Sequence, residues 1–173
     1  MSDDANSGTR DRLLAEAVGL REAGEREEAR TRLLALAAQH PGDAEVAYQT
    51  AWAHDVLGLE AEAVPFYERA LDDTAAPRLG EEDRRGALLG LGSTYRVLGR
   101  YDQAVTTLRR GTEEFPEDAA LRTFLAMALF NIGRHEESTR LLLGVVAATS
   151  DDPYVRRYRR AIEYYAGNLD ETV

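Results

Sequence analysis

Apolar and small residues recur along this chain at the three- and four-residue steps of amphipathic helices, and four of these runs stop at a glycine: Gly24, Gly58, Gly99 and Gly133. A fifth glycine, Gly167, follows Tyr164-Tyr165-Ala166. The intervals between them are 34, 41, 34 and 34 residues, so a unit of fixed length repeats, once with seven residues added. Other positions keep step with the glycines. Seven residues before each stand Ala17, Ala51, Gly92 and Ala126, and five residues after each stand Ala29, Ala63, Ala104 and Ser138. Small side chains in register on consecutive helices mark the places where two helices of a hairpin cross, because a large residue there forces the backbones apart at a cost of about 1–3 kcal/mol. Nine residues after each glycine stand Leu33, Tyr67, Leu108 and Leu142, which are expected to fill the same hairpins.

Punctuation agrees with that period. Pro41 and Pro116 end two units, and Asp43 and Asp118 follow two residues later as helix N-caps. Asp152-Pro153 repeats the signal before a last helix, with proline in the first turn. The expected repeats are 10–43, 44–84, 85–118 and 119–152, followed by a capping helix over 153–167. Together they form one domain over 9–167, with an acidic disordered tail at 1–8 and a second tail at 168–173. The seven added residues fall between Asp72 and Arg85, where Pro77 and Gly80 predict a loop over Thr74 to Leu79 and a helix starting near Glu81. Seven residues are almost two helical turns, so the facing of Leu88 and Leu91 is preserved. In the last helix Val155, Tyr158, Ile162 and Tyr165 are assigned to the buried face, and Arg156, Arg159, Arg160 and Glu163 to the solvated one.

A 34-residue unit of helix, tight glycine turn and helix resembles a tetratricopeptide repeat. The third unit carries the likeness most fully, in Gly92, Tyr95, Gly99, Tyr101, Ala104 and Pro116. The others depart from it: Leu20, His54 and Leu129 stand where a tyrosine is typical. The run Gly90 to Tyr101 and the closing Tyr158 to Ala166 also resemble a family of short bacterial tetratricopeptide proteins. The resemblance implies an all-α fold, a right-handed superhelical stack of four helix-turn-helix pairs plus the capping helix, and it implies a homodimer.

Composition then removes whole classes of chemistry. The chain has no cysteine, and all 21 basic residues are arginine. Disulfides, thiolate metal sites, cysteine nucleophiles, lysine Schiff bases and a lysine-dependent phosphate loop are thereby excluded. His40, His54 and His135 stand far apart with no ligand spacing, so no metal site is assigned. Gly86, Gly90 and Gly92 lie inside a helical pattern, which assigns them to close packing rather than to nucleotide binding. Neither a catalytic residue nor a cofactor is predicted. A net charge of −10 argues against nucleic acid as the principal ligand. Charge-free runs of about ten residues fall well short of the roughly 20 needed to span a bilayer, so no membrane association is expected. The polar N-terminus lacks a signal-peptide pattern, which points to the cytoplasm.

The expected activity is therefore to hold another polypeptide, or a second copy of the chain. In such stacks the first helix of each pair lines the concave side. Projecting the repeat places Leu14, Val18 and Arg21 there from the first unit, and Tyr48, Trp52 and Asp55 from the second. The third contributes Leu89, Ser93 and Arg96, and the fourth Thr123, Met127, Phe130 and Asn131. The last helix adds Tyr154, Arg157, Ala161 and Tyr164. Aromatic residues, Met and Arg are the types enriched at protein interfaces. The family's carboxylate-gripping members use Lys and Asn at slots that here hold Leu14, Val18, Tyr48, Trp52, Leu89 and Ser93, so an apolar or amphipathic segment fits better than a charged chain terminus. An alternative reading is a regulator that contacts RNA or an anionic partner through Arg156 to Arg160.

Overall fold

The structure of the protein, a computed structural model, describes residues 2–74 and 78–172, with side chains from Gly8 onward. Its helices are α1 (Ser2–Glu22), α2 (Arg26–Gln39), α3 (Ala44–Asp55), α4 (Glu60–Ala70), α5 (Glu81–Val97), α6 (Tyr101–Glu114), α7 (Ala119–Asn131), α8 (His135–Thr149) and α9 (Pro153–Ala166). No strand occurs among the described residues.

Four of the five glycines picked out by spacing adopt positive φ, from 71° to 88°. L-residues rarely hold that conformation, and glycine holds it freely. Each turn is closed identically. The residue after the glycine donates its N–H to the carbonyl four residues before the glycine: Glu25 to Leu20, Leu59 to His54, Arg100 to Tyr95 and Arg134 to Leu129, at 2.8–3.1 Å. This is the wide bond of a Schellman turn, which satisfies a carbonyl the ended helix would otherwise leave open. Gly167 differs: its φ is −85°, and no second helix follows it among the described residues.

The small residues lie where the repeat requires. Ala17, Ala29, Ala51, Ala63, Ala104 and Ala126 are fully buried, and Gly92 and Ser138 are buried with them. Ser138 also donates its hydroxyl to the carbonyl of Ala126 across the hairpin, at 2.7 Å. Leu33, Tyr67 and Leu108 are buried. Leu142 is not, remaining 38% exposed on α8. That helix belongs to the last pair, where α9 covers it with a single helix and only Ser138 and Ala147 become buried.

Asp43, Asp118 and Asp152 cap α3, α7 and α9, accepting the backbone N–H of Val46, Leu121, and both Tyr154 and Val155, at 2.8–3.0 Å. Arg10, within α1, clips that helix to the start of α3, with a two-pronged bond to the Asp43 carboxylate at 2.6 and 2.7 Å and a further ion pair to Glu45. Burial alone raises a carboxyl pKa, but at Asp43 the Arg10 bonds and the Val46 N–H outweigh it and hold the group below the ordinary range.

Two expectations about the ends of elements change. Helix α1 begins at Ser2, within the stretch read as a disordered tail. The loop expected over 74–79 has its centre, residues 75–77, outside the described residues, and α5 begins at Glu81 with Leu88 and Leu91 buried. The chain divides into two compact units, Met1–Thr94 and Tyr95–Val173, the boundary falling within α5, where one continuous domain was expected. In the first unit α1 packs on α2, α2 on α3 and α3 on α4, around Leu14, Ala17, Leu33, Leu36, Val46 and Ala53. In the second, α6 packs on α7, α7 on α8 and α8 on α9.

Candidate protein-binding surface

In the first unit, the positions projected onto the concave side divide into buried and accessible. Leu14 and Tyr48 are core residues; Val18, Asp55, Leu89 and Ser93 are half-buried. Trp52 is 41% exposed. Its ring packs on Tyr48 at 5.9 Å between centroids and lies 3.9 Å below the guanidinium of Arg21. Arg21 is buried, fixed between this ring and the Gln49 amide oxygen, which it reaches at 2.7 Å. Burial holds its pKa below the usual guanidinium value despite the negative groups around it, though an arginine stays charged throughout the accessible range. A cation fixed over the inner face of an indole leaves the outer face rigid, which lowers the entropic cost of receiving a partner.

Asp55 has a different role from the one expected of it. Its carboxylate accepts hydrogen bonds from Tyr67 Oη at 2.6 Å and Thr94 Oγ1 at 3.0 and 3.1 Å. It therefore ties α3 to α4 and α5, and is not presented to a ligand. Burial raises its pKa, only partly offset by these two donors. Burial, with the charge of Asp55, likewise raises the Tyr67 phenol, and burial beside Asp83 pushes Tyr48 up to about 12. The two tyrosines need room on α5, and glycine provides it: a Cβ on Gly86 would meet Tyr48 Oη, and one on Gly90 would lie 2.6 Å from Tyr67 Cζ. Sequence reasoning assigned these glycines to packing but missed their partners and the Asp55 junction.

In the second unit, Phe130 and Asn131 are exposed, whereas Arg96 and Met127 are half-buried. Phe130 tilts against His135 at 4.6 Å, and Arg96 reaches the Asn131 side-chain oxygen at 3.4 Å. Tyr154, Arg157, Ala161 and Tyr164 are exposed on α9. The face of α9 turned to the fold is Val155, Arg159 and Ile162, all half-buried, and Ala166, buried, which leaves Tyr158 and Tyr165 in solvent where burial was expected. Ala166 explains the choice: it is fully tucked in, and a small residue lets α9 approach α8 closely. Among the described residues, no ion pair engages Arg156, Arg157 or Arg160. Arg157 instead lies over the Tyr158 ring at 5.8 Å.

His54 is a core residue. Its ring stacks on Phe66 at 5.2 Å, and Nδ1 donates to the carbonyl of Thr50 at 2.7 Å. Among the described residues no cluster of three or more His, Asp or Glu could hold a metal ion, and no helix is long and apolar enough to cross a membrane.

The family model described as tetratrico peptide repeat matches residues 44–169. The chain belongs to the tetratricopeptide repeat family. A curated relative, Superkiller protein 3 of Schizosaccharomyces pombe, is 29% identical over 102 residues, which is 58% of this tetratricopeptide chain but 7% of that protein. The chain thus spans a small part of the length of that relative. Among solved structures, MamA from Desulfovibrio magneticus RS-1 superposes with a TM-score of 0.71 at 18% identity, covering 92% of this chain and 89% of that one. PilF of Pseudomonas aeruginosa gives 0.68 at 15% identity, covering 98% and 80%. At these identities the likeness establishes a shared fold of helix pairs. Tetratricopeptide proteins in general mediate contacts between proteins.

Proposed function

We propose that this tetratricopeptide protein is a non-catalytic scaffold that binds a polypeptide segment, or a second copy of itself, through aromatic side chains left accessible on its helices. The observation that carries this reading is that Trp52 and Phe130 remain exposed on α3 and α7 while the small residues of the same helices are fully buried. Each helix thus spends one face on the fold and keeps a large apolar side chain outside it, the type of residue that dominates interface energetics. The fixed Arg21–Trp52 pair supports the reading, because a preorganised anchor costs little to engage.

Affinity capture from cells with the wild-type chain and with Trp52→Ala tests it. A partner retained by the first and lost by the second, with both equally stable, supports the proposal. Identical partner sets, or none, would sink the role given to Trp52. Light scattering at micromolar concentration tests self-association, for which a mass of twice 19.2 kDa is expected.

A second reading is contact with RNA or another anionic partner through Arg156 to Arg160, which the absence of ion pairs at Arg156, Arg157 and Arg160 among the described residues favours. It requires binding that weakens steeply with salt. An unshifted RNA probe at low ionic strength would dispose of it.

A further inference from the structure

Helix α9 carries two apolar seams, and the fold uses one of them. The inner seam, Val155, Arg159, Ile162 and Ala166, follows the 4-3-4 spacing of helices packed side by side and lies against α8. The outer seam, Tyr154, Tyr158, Ala161 and Tyr165, has the same spacing one residue earlier. It faces solvent: Tyr154 is 70%, Tyr158 55% and Tyr165 51% exposed, and Tyr164 beside it is 54% exposed. A capping helix ends a repeat stack with a polar outer face, and this one is aromatic instead.

We propose that the outer seam of α9 is the self-association surface, packing antiparallel against α9 of a second copy. The inference rests on the self-binding form of the function proposed above, and it names the surface. Three observations carry it.

The seam is self-complementary. Reversing one helix about the midpoint of residues 159 and 160 sets Tyr154 opposite Tyr165 of the second copy. The same reversal sets Tyr158 opposite Ala161, a large side chain against a small one, at both ends of the pair. Arg157 falls beside Tyr164 of the second copy, in reach of its ring face. The charges also allow the approach. At 100° per residue, Arg156, Arg160 and Glu163 lie on the opposite side of α9 from the seam, so the centre of the contact contains no charge.

Area agrees. Each tyrosine has a surface of roughly 200 Å², so the four leave about 450 Å² per copy and about 900 Å² per pair exposed. With Ala161 and Arg157 added, the pair reaches the lower edge of specific interfaces, about 1,000–1,200 Å².

The test is sedimentation velocity on the full chain across the micromolar range, with wild type and Tyr158→Glu. The expected result is a wild-type dimer and a Tyr158→Glu monomer with an unchanged melting curve, since Tyr158 supports no core. A Tyr158→Glu chain that still dimerises overturns the seam while leaving self-association standing. A monomeric wild type overturns both. The sense of the pairing is read with a short bismaleimide, because the chain has no cysteine of its own. Ala161→Cys copies should join, and Asn168→Cys copies should not, being separated by about 25 Å along an antiparallel pair. Joining at both positions would mean parallel helices and would overturn the geometry.

Discussion

Replacing Gly90 with alanine sets two effects of opposite sign against each other. Alanine is favoured over glycine inside a helix by about 1 kcal/mol. At Gly90 the new methyl would lie 2.6 Å from Tyr67 Cζ and 2.9 Å from Cε1. Ordinary carbon contacts lie near 3.5–4.0 Å, so the ring must move by about 1 Å. It has little freedom to do so: Tyr67 is buried, and its hydroxyl is held by Asp55 at 2.6 Å. Overpacking of this kind costs about 1–3 kcal/mol, and loosening a hydrogen bond to a carboxylate adds about 1.5–3 kcal/mol. The net expectation is a loss of about 1.5–5 kcal/mol, read as a lower urea midpoint by circular dichroism. Gly19→Ala is the control. Nothing lies within 4 Å of a Cβ there, so the propensity gain should show alone, as a rise of about 0.5–1 kcal/mol. Tyr67→Phe removes the hydroxyl nearest Gly90, so the penalty of Gly90→Ala should shrink in that background. Equal stability of Gly90→Ala and wild type would refute the account, because it would mean the ring yields at no cost.

Ala104→Glu places a carboxylate at a fully buried position of α6 and should destabilise by more than about 3 kcal/mol, seen as loss of the cooperative thermal transition. Asp55→Ala should cost about 2–4 kcal/mol in a denaturant titration, since Tyr67 and Thr94 both lose their acceptor. Asp43 has a folded pKa below its unfolded one, so its contribution is complete above the unfolded value and is lost as pH falls through the folded value. Asp43→Asn should therefore cost about 1 kcal/mol near neutrality, with the difference from wild type narrowing in acid melts. Leu142→Glu should shift stability by less than about 1 kcal/mol by the same denaturant assay, because that side chain is exposed despite its place in the repeat.

The helix pairs were legible because their signals are local and recur. A glycine needed for positive φ, a small residue at a crossing and an aspartate at a cap each act within a few residues, and a fixed period makes each confirm the others. Asp55 was misplaced for the opposite reason. Its donors stand 12 and 39 residues away, and no periodic pattern links an aspartate, a tyrosine and a threonine so spaced. Tyr48 was likewise read as accessible, although the space opened by Gly86 draws it into the core. The facing of α9 failed on a near tie. Two 4-3-4 seams lie side by side on it, and choosing the larger side chains for the interior was outweighed by the close approach that Ala166 allows. Trp52 and Phe130 stand outside the core, and the small residues of their own helices occupy the buried positions instead.

The glycine turns carry a consequence for how the chain tolerates changes of length. Each turn completes its hydrogen bonds within one hairpin, so no turn depends on the stretch that joins one hairpin to the next. The seven additional residues are taken up by such a joining stretch, after α4, and by the start of α5, which has 17 residues where α3 has 12 and α7 has 13. Lengthening a flexible connection costs only a few tenths of a kcal/mol, whereas one residue inserted into a Schellman turn would displace its glycine and open both of its bonds. Duplication or loss of material is therefore tolerated at the joints and rejected at the hairpins, and the whole hairpin becomes the natural unit by which such a protein grows.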